Sequence, residues 1–170
     1  MNAEESSVRG SGGLGDPRIS FWLMMATYVA GGIGVALAFY GMSDSAEKAI
    51  HYGCPFLVGV TGILAMVRHS VFHESDAARS GVEGERFYMI ELGFANGALG
   101  IIALVAFFAS WGVKAEVALT LTYAVYLGMA LVLFAARSVR KGLDGGKAVG
   151  LGAWLAIVVL MFYFGIAAAV

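Results

Sequence analysis

Charge is scarce in this chain. Only 14% of its 170 residues are Asp, Glu, Lys or Arg, where a soluble domain carries about a quarter. With 59% apolar residues and a mean hydropathy of +0.80, that shortage excludes a water-soluble globule. Cysteine is reduced to one residue, Cys54, which excludes a disulfide framework and any thiolate zinc or iron–sulfur centre made by this chain alone. Proline occurs twice, and repeats and low-complexity tracts are missing, so little room is left for flexible modules outside the membrane. A nucleophile elbow, a P-loop and a dinucleotide fingerprint are also missing. The GGIG of residues 31–34 lies inside an apolar run with no strand before it, the wrong context for phosphate binding. No nucleic-acid partner is expected. Apolar sequence is what remains, with 24 glycines and 8 methionines, and glycine is commoner in membrane helices than in soluble ones.

A helix that crosses the hydrocarbon core needs about 20 mostly apolar residues at ~1.5 Å rise each. Five runs qualify: Ile19–Met42, Ile50–Val67, Phe87–Trp111, Ala115–Ala136 and Ala148–Val170. Asp16-Pro17 is a helix-start signal for the first. The second is shorter and is interrupted by His51, Cys54 and Pro55, so a re-entrant segment competes with a full span there. Gly112-Val113-Lys114 separates the third and fourth, which predicts a tight antiparallel hairpin. Basic residues choose between five spans and four. With five, one side holds nine (Arg9, Arg18, Arg68, Arg79, Arg86, Arg137, Arg140, Lys141, Lys147) and the other two, Lys48 and Lys114. With four the split falls to 8 against 3. The positive-inside rule therefore predicts an all-α, five-helix polytopic bundle with a cytoplasmic N-terminus and Val170 outside. Residues 1–18 read as a mobile, glycine- and serine-rich polar tail and residues 19–170 as one bundle. The expected address is a bacterial inner membrane.

Small residues at four-residue spacing let membrane helices approach closely. The third span has Gly93, Gly97 and Gly100 on adjoining faces. The first has Gly31, Gly32 and Gly34, and the fifth opens with Gly146, Gly150 and Gly152. Such faces serve either as an oligomer seam or as packing within one bundle. Phe21, Trp22, Tyr40, Tyr52, Phe87, Tyr88, Trp111 and Tyr123 fall where an interfacial aromatic belt belongs. Thr27, Thr61, Thr120 and Thr122 are expected to bond back to their own helix carbonyls.

Residues 66–100 hold most of the chemistry. An uninterrupted second helix running on to about Ala78 would place His69, His73 and Asp76 at i, i+4 and i+7, on one face. Asp76 would also partner the turn at Gly81. Return through the connector puts Glu91 about a turn inside the bilayer, near the level of Arg68 and His69, with Asn96 about 7–8 Å deeper. Polar groups in membrane helices are costly and normally face a partner inside the protein. Three arrangements compete. Glu91 pairs with Arg68 or His69 and pins the hairpin; Glu91 and Asn96 line a polar path or small-molecule pocket; or His69, His73, Asp76 and Glu91 supply ligands to a divalent metal. Two histidines on one helix cannot ligate opposite faces of a haem, so haem is not expected.

The segment carrying His69, Phe72, Ala77, Gly81, Phe87 and the ELGFAN of residues 91–96, followed by Gly100, resembles a family of small bacterial integral membrane proteins of unknown function. The resemblance covers about 35 residues and implies a small helical bundle in a bacterial inner membrane, with no activity attached. Where that family more often has Gly-Trp and Ser-Pro-Phe in the connector, this chain has GVEGERF.

The loops are too short for a soluble catalytic site, and no catalytic residue is assigned. The first expectation is a scaffold or accessory subunit that assembles laterally, with itself or in a larger complex, through glycine-faced helices. The alternative is a membrane-embedded binder or transporter of a metal, an ion or a small molecule, built on Arg68, His69, His73, Glu91 and Asn96.

Overall fold

The structure, a computed structural model, describes residues 13–80, 86–142 and 145–170. Residues 1–12 of the expected tail and the expected turn at Gly81 lie outside these. Five helices are long and apolar enough to cross a membrane: α1 (Pro17–Met42), α2 (Ala46–Val71), α4 (Arg86–Phe108), α5 (Val113–Lys141) and α6 (Gly145–Ala169). A short sixth, α3 (His73–Ser80), follows α2. No strand occurs among the described residues.

Local chemistry sets the helix ends. Asp16 caps α1 by accepting from the Arg18 N–H at 2.9 Å, with Pro17 at the first helical position, where its missing N–H costs nothing. Ser45 caps α2 by accepting from the Lys48 N–H at 3.2 Å. Gly112, at φ +90°, supplies the positive φ that lets α5 begin directly after the turn that ends α4.

The second span is a full-length helix of 26 residues, not a re-entrant segment. It starts earlier than the sequence suggests, so Pro55 lies well inside it and not in its first turns. A proline there removes one i→i−4 bond and crowds the carbonyl four residues back. The helix answers by widening to a π-helical turn over Pro55–Val60. A second π-helical turn, Val67–Val71, closes with the Phe72 N–H on the Val67 carbonyl at 3.1 Å. Phe72 itself is non-helical (φ −107°, ψ 33°), so the helix does not run on to Ala78. The chain turns there and α3 lies against α1.

Helix α2 is the centre of the bundle: 56% of its most apolar stretch is buried, against 22–33% for the other four. Glycines seat it on both sides. A Cβ on Gly34 of α1 would lie 2.9 Å from the Leu57 backbone nitrogen. On the α4 side, a Cβ on Gly62 would lie 2.6 Å from the Asn96 carbonyl oxygen, and one on Gly100 2.8 Å from the Gly59 carbonyl oxygen. Gly93 and Gly97 face Ser70 and Met66 with no space for a methyl. The Gly93–Gly97–Gly100 face is therefore used within the chain, which is the intramolecular member of the two expected uses.

Candidate functional site

Polar side chains gather in three places inside the bundle, and α2 touches all of them. At the first, the break at Phe72 returns α3 over the start of α1. Asp76, buried, lies 2.8 Å from His69 Nδ1, 3.5 Å from Arg68 Nε and 3.5 Å from an Arg79 guanidinium nitrogen. The Ser20 hydroxyl donates to Asp76 Oδ1 at 2.5 Å and accepts from Arg79 Nε at 3.1 Å. Arg68 meets His69 Nε2 at 2.8 Å. A neutral imidazole protonated on Nδ1 satisfies both contacts, donating to Asp76 and accepting from Arg68. Burial pushes the Asp76 carboxyl up, but the His69 hydrogen bond and the Arg68 charge outweigh it and hold the group well below the usual carboxylate range.

Ser75, also fully buried, enters the first turn of α1. Its hydroxyl accepts from the Ser20 N–H at 2.9 Å and donates to the Asp16 carbonyl at 2.5 Å. It thus bridges the backbone pair that would otherwise close an i→i−4 bond, the position that ordered water takes in bent helices. Two serines and one aspartate lock α3 onto α1.

The second cluster is at mid-bundle. Asn96 accepts from the Tyr123 hydroxyl at 3.0 Å and donates to the Tyr126 hydroxyl at 2.9 Å. The third is at the opposite end, where His51 Nδ1 lies 3.1 and 3.2 Å from the two oxygens of Glu116. The Glu116 side chain is 1% exposed and that of His51 46%.

The expected partners of Glu91 are taken by Asp76. Glu91 is exposed, and among the described residues it makes no ion pair or hydrogen bond with Arg68 or His69. The geometry explains this. At 3.6 residues per turn, Glu91 stands roughly 200° around α4 from Gly93 and about 180° from Gly100, and those glycines fix the buried face. His73 is separated from His69 by the break at Phe72. Its Nδ1 lies 3.0 Å from the Ser70 carbonyl oxygen and its Nε2 3.8 Å from Glu74. The expected metal set of His69, His73, Asp76 and Glu91 therefore does not converge, and among the described residues no three His, Cys, Asp or Glu side chains are placed to hold an ion.

Sequence reasoning also passed over Ser20, Ser75, Arg79, His51 with Glu116, and Tyr126. Tyr123, expected in the interfacial belt, is 1% exposed and lies at mid-bundle. A signal for α5 was available: Glu116, Thr120 and Tyr123 recur at i, i+4 and i+7 in an otherwise apolar span. The bonds from α3 to α1 have no such signal, because they join residues more than fifty positions apart.

A family model covers residues 18–170. The chain belongs to that family, DUF6790, a family of unknown function. No curated protein and no solved structure matches it. Membership in DUF6790 takes in all five long helices and both terminal clusters, so the clusters lie within the family's extent and not in an appendage.

Proposed function

We propose that the protein is a small accessory subunit of a membrane, assembling laterally through the outer face of α4 around Glu91. One observation carries this reading. Glu91 faces away from the bundle, about 7.5 Å along α4 from Arg86, with no partner among the described residues. An ionisable side chain within a membrane helix normally finds a partner inside the protein. None of the described residues meets that need, which favours a partner from outside the chain. The same face continues through Phe87 and Phe94 to Ile102 and Val105, all exposed, which gives a neighbouring helix an apolar surface beside the carboxylate.

The occupant that fits is a helix carrying a cation one to two turns from the same membrane face. A second copy of this chain offers one. Arg86, exposed at the start of α4, stands about 7.5 Å along that helix from the level of Glu91, within the reach of an arginine side chain. A Glu91-to-Arg86 contact can be made twice across a two-fold axis, which satisfies both carboxylates in a dimer. The uneven basic residues put this end in the cytoplasm, and we take the membrane to be a bacterial inner membrane. The Gly93–Gly97–Gly100 face does not carry the assembly, since it is filled within the chain.

Weighing the full chain by light scattering in mild detergent tests the proposal. The wild type is expected to run as an oligomer, Glu91→Leu as a monomer, and the exchange Glu91→Arg with Arg86→Glu as an oligomer again. A monomeric wild type, or an oligomer that Glu91→Leu leaves intact, overturns it.

A further inference from the structure

An apolar groove of about 610 Å³ lies between α1, α2 and α4, at the His51 end of the bundle. Five of its nine lining residues are aromatic: Tyr40, Tyr52, Phe56, Phe107 and Phe108. Its α2 wall is built on the first π-helical turn, which supplies Pro55, Phe56 and Val60. Such turns recur at functional sites, and here the proline that forces the turn is itself part of the wall. On α4, Leu104 and Phe108 stand roughly 100–140° around the helix from Glu91. The groove and the face proposed for assembly are therefore on different sides of α4.

One end of the groove is polar. The His51 ring stands 5.0 Å from that of Phe107 and 5.7 Å from that of Tyr52, beside two residues of the wall. Its Nδ1 is bonded to the buried Glu116 carboxylate at 3.1 and 3.2 Å, and its Nε2 has no hydrogen-bond partner among the described residues. A neutral imidazole that donates from Nδ1 presents Nε2 as an acceptor. From Tyr52 to Val60 the groove follows α2 for about 12 Å toward mid-bundle. An apolar pocket of about 300–1,000 Å³ with a few converging polar groups is the usual form of a small-molecule site.

We propose that this groove binds a reduced isoprenoid quinone. Its ring lies among Tyr40, Tyr52 and Phe107 with one hydroxyl donating to His51 Nε2, and its tail follows Phe56, Val60 and Leu104. Three features select that chemistry. The groove runs along membrane-spanning helices, so its occupant arrives from the lipid and is itself lipid-soluble. Aromatic walls favour a flat ring, which makes offset and edge contacts that a flexible acyl chain does not. The free acceptor on His51 calls for a donor, which a quinol carries and an oxidised quinone or an acyl chain lacks. Glu116 is a positioning residue here: it fixes the ring orientation that leaves Nε2 to the ligand.

The experiment follows thermal unfolding of the purified full chain in dodecyl maltoside under nitrogen, with decylubiquinol, decylubiquinone or decylbenzene added. A ligand that binds the folded chain raises the midpoint saturably. Decylubiquinol is expected to do so at a half-saturating concentration about three- to tenfold below that of decylubiquinone, the worth of one hydrogen bond. Decylbenzene, a tail without the hydroxyls, is expected to leave the midpoint unmoved. Val60→Trp fills the groove and abolishes the shift; should it fail to fold, Leu37→Trp from the opposite wall decides. His51→Asn keeps an amide donor for Glu116 but has no Nε2, so the variant still binds and no longer distinguishes quinol from quinone. The proposal is overturned by the absence of a saturable shift with decylubiquinol, by an equal shift with decylbenzene, or by a shift that survives filling the groove. A wild type without preference for the quinol, or a preference that survives His51→Asn, overturns it too.

Discussion

At one end of the bundle Asp76 is held by Ser20, Arg68, His69 and Arg79, drawn from three helices. At the other, Glu116 has His51 alone among the described residues, and that histidine is half exposed. Both carboxylates are buried, yet they are satisfied differently. The Asp76 end surrounds one anion with two permanent cations, an imidazole and a hydroxyl, so its charge is fixed and the elements that carry it are fixed with it. The Glu116 end has a single half-exposed partner among the described residues. Abundant partners suit a lock. A lone exposed partner suits a port, an end held by one contact.

Removing the anion from the lock is expected to have the largest effect. Asp76→Ala leaves Arg68 and Arg79 close together without a counter-charge and takes the acceptor from His69. Breaking a buried charge network by deleting one member costs about 3–5 kcal/mol, read as a lower midpoint in thermal or dodecyl-sulfate unfolding. The same carboxylate sets an acid limit. Its folded pKa lies below the unfolded value, so its contribution is fully present above about pH 4 and is lost as the pH falls through the folded pKa. Asp76→Ala is expected to flatten that acid branch and leave the midpoint's trend between pH 5 and 8 unchanged. An acid branch as steep as the wild type's would show that another carboxylate governs it.

The port should be more forgiving. His51→Ala takes one hydrogen-bond partner from the buried Glu116 carboxylate and strands no permanent cation. The expected cost is that of an unsatisfied buried polar group, about 1–3 kcal/mol, read in the same unfolding measurement. A loss as large as that of Asp76→Ala would erase the distinction between lock and port.

The sequence carries the architecture more clearly than the chemistry, for physical reasons. Span positions follow from runs of apolar residues, a local property, and all five are legible. The turn at Gly112 and the capped start at Asp16-Pro17 are local too. Glu91 shows where local reasoning fails: it lies on the long apolar helix the sequence predicts, but faces out of the bundle and not into it. Direction was nonetheless available, since Gly93, Gly97 and Gly100 define the close-packed face and a 3.6-residue period puts Glu91 opposite. Extending the second helix through Phe72 failed because neither glycine nor proline marks that break. It arises from the π-helical turn before it and the docking of α3 on α1, which are tertiary effects. The partners of Asp76 on α1 were out of reach for the same reason.

Ser75 tests the lock at its finest point. Its hydroxyl makes two hydrogen bonds, to the Ser20 N–H and the Asp16 carbonyl, and Ser75→Ala removes both. The loss is partly made good, because those two backbone groups are the natural ends of the first i→i−4 bond of α1 and can close on each other once the hydroxyl is gone. The net cost should therefore be that of one ordinary hydrogen bond, about 0.5–1.5 kcal/mol, well short of Asp76→Ala. The local readout is sharper than the global one. Hydrogen exchange at the Ser20 amide should stay slow if the helix closes, with α1 starting straighter. Fast exchange there, with a cost above about 3 kcal/mol, would mean that the serine props the two helices apart and that the lock depends on the bridge more than on the charges around Asp76.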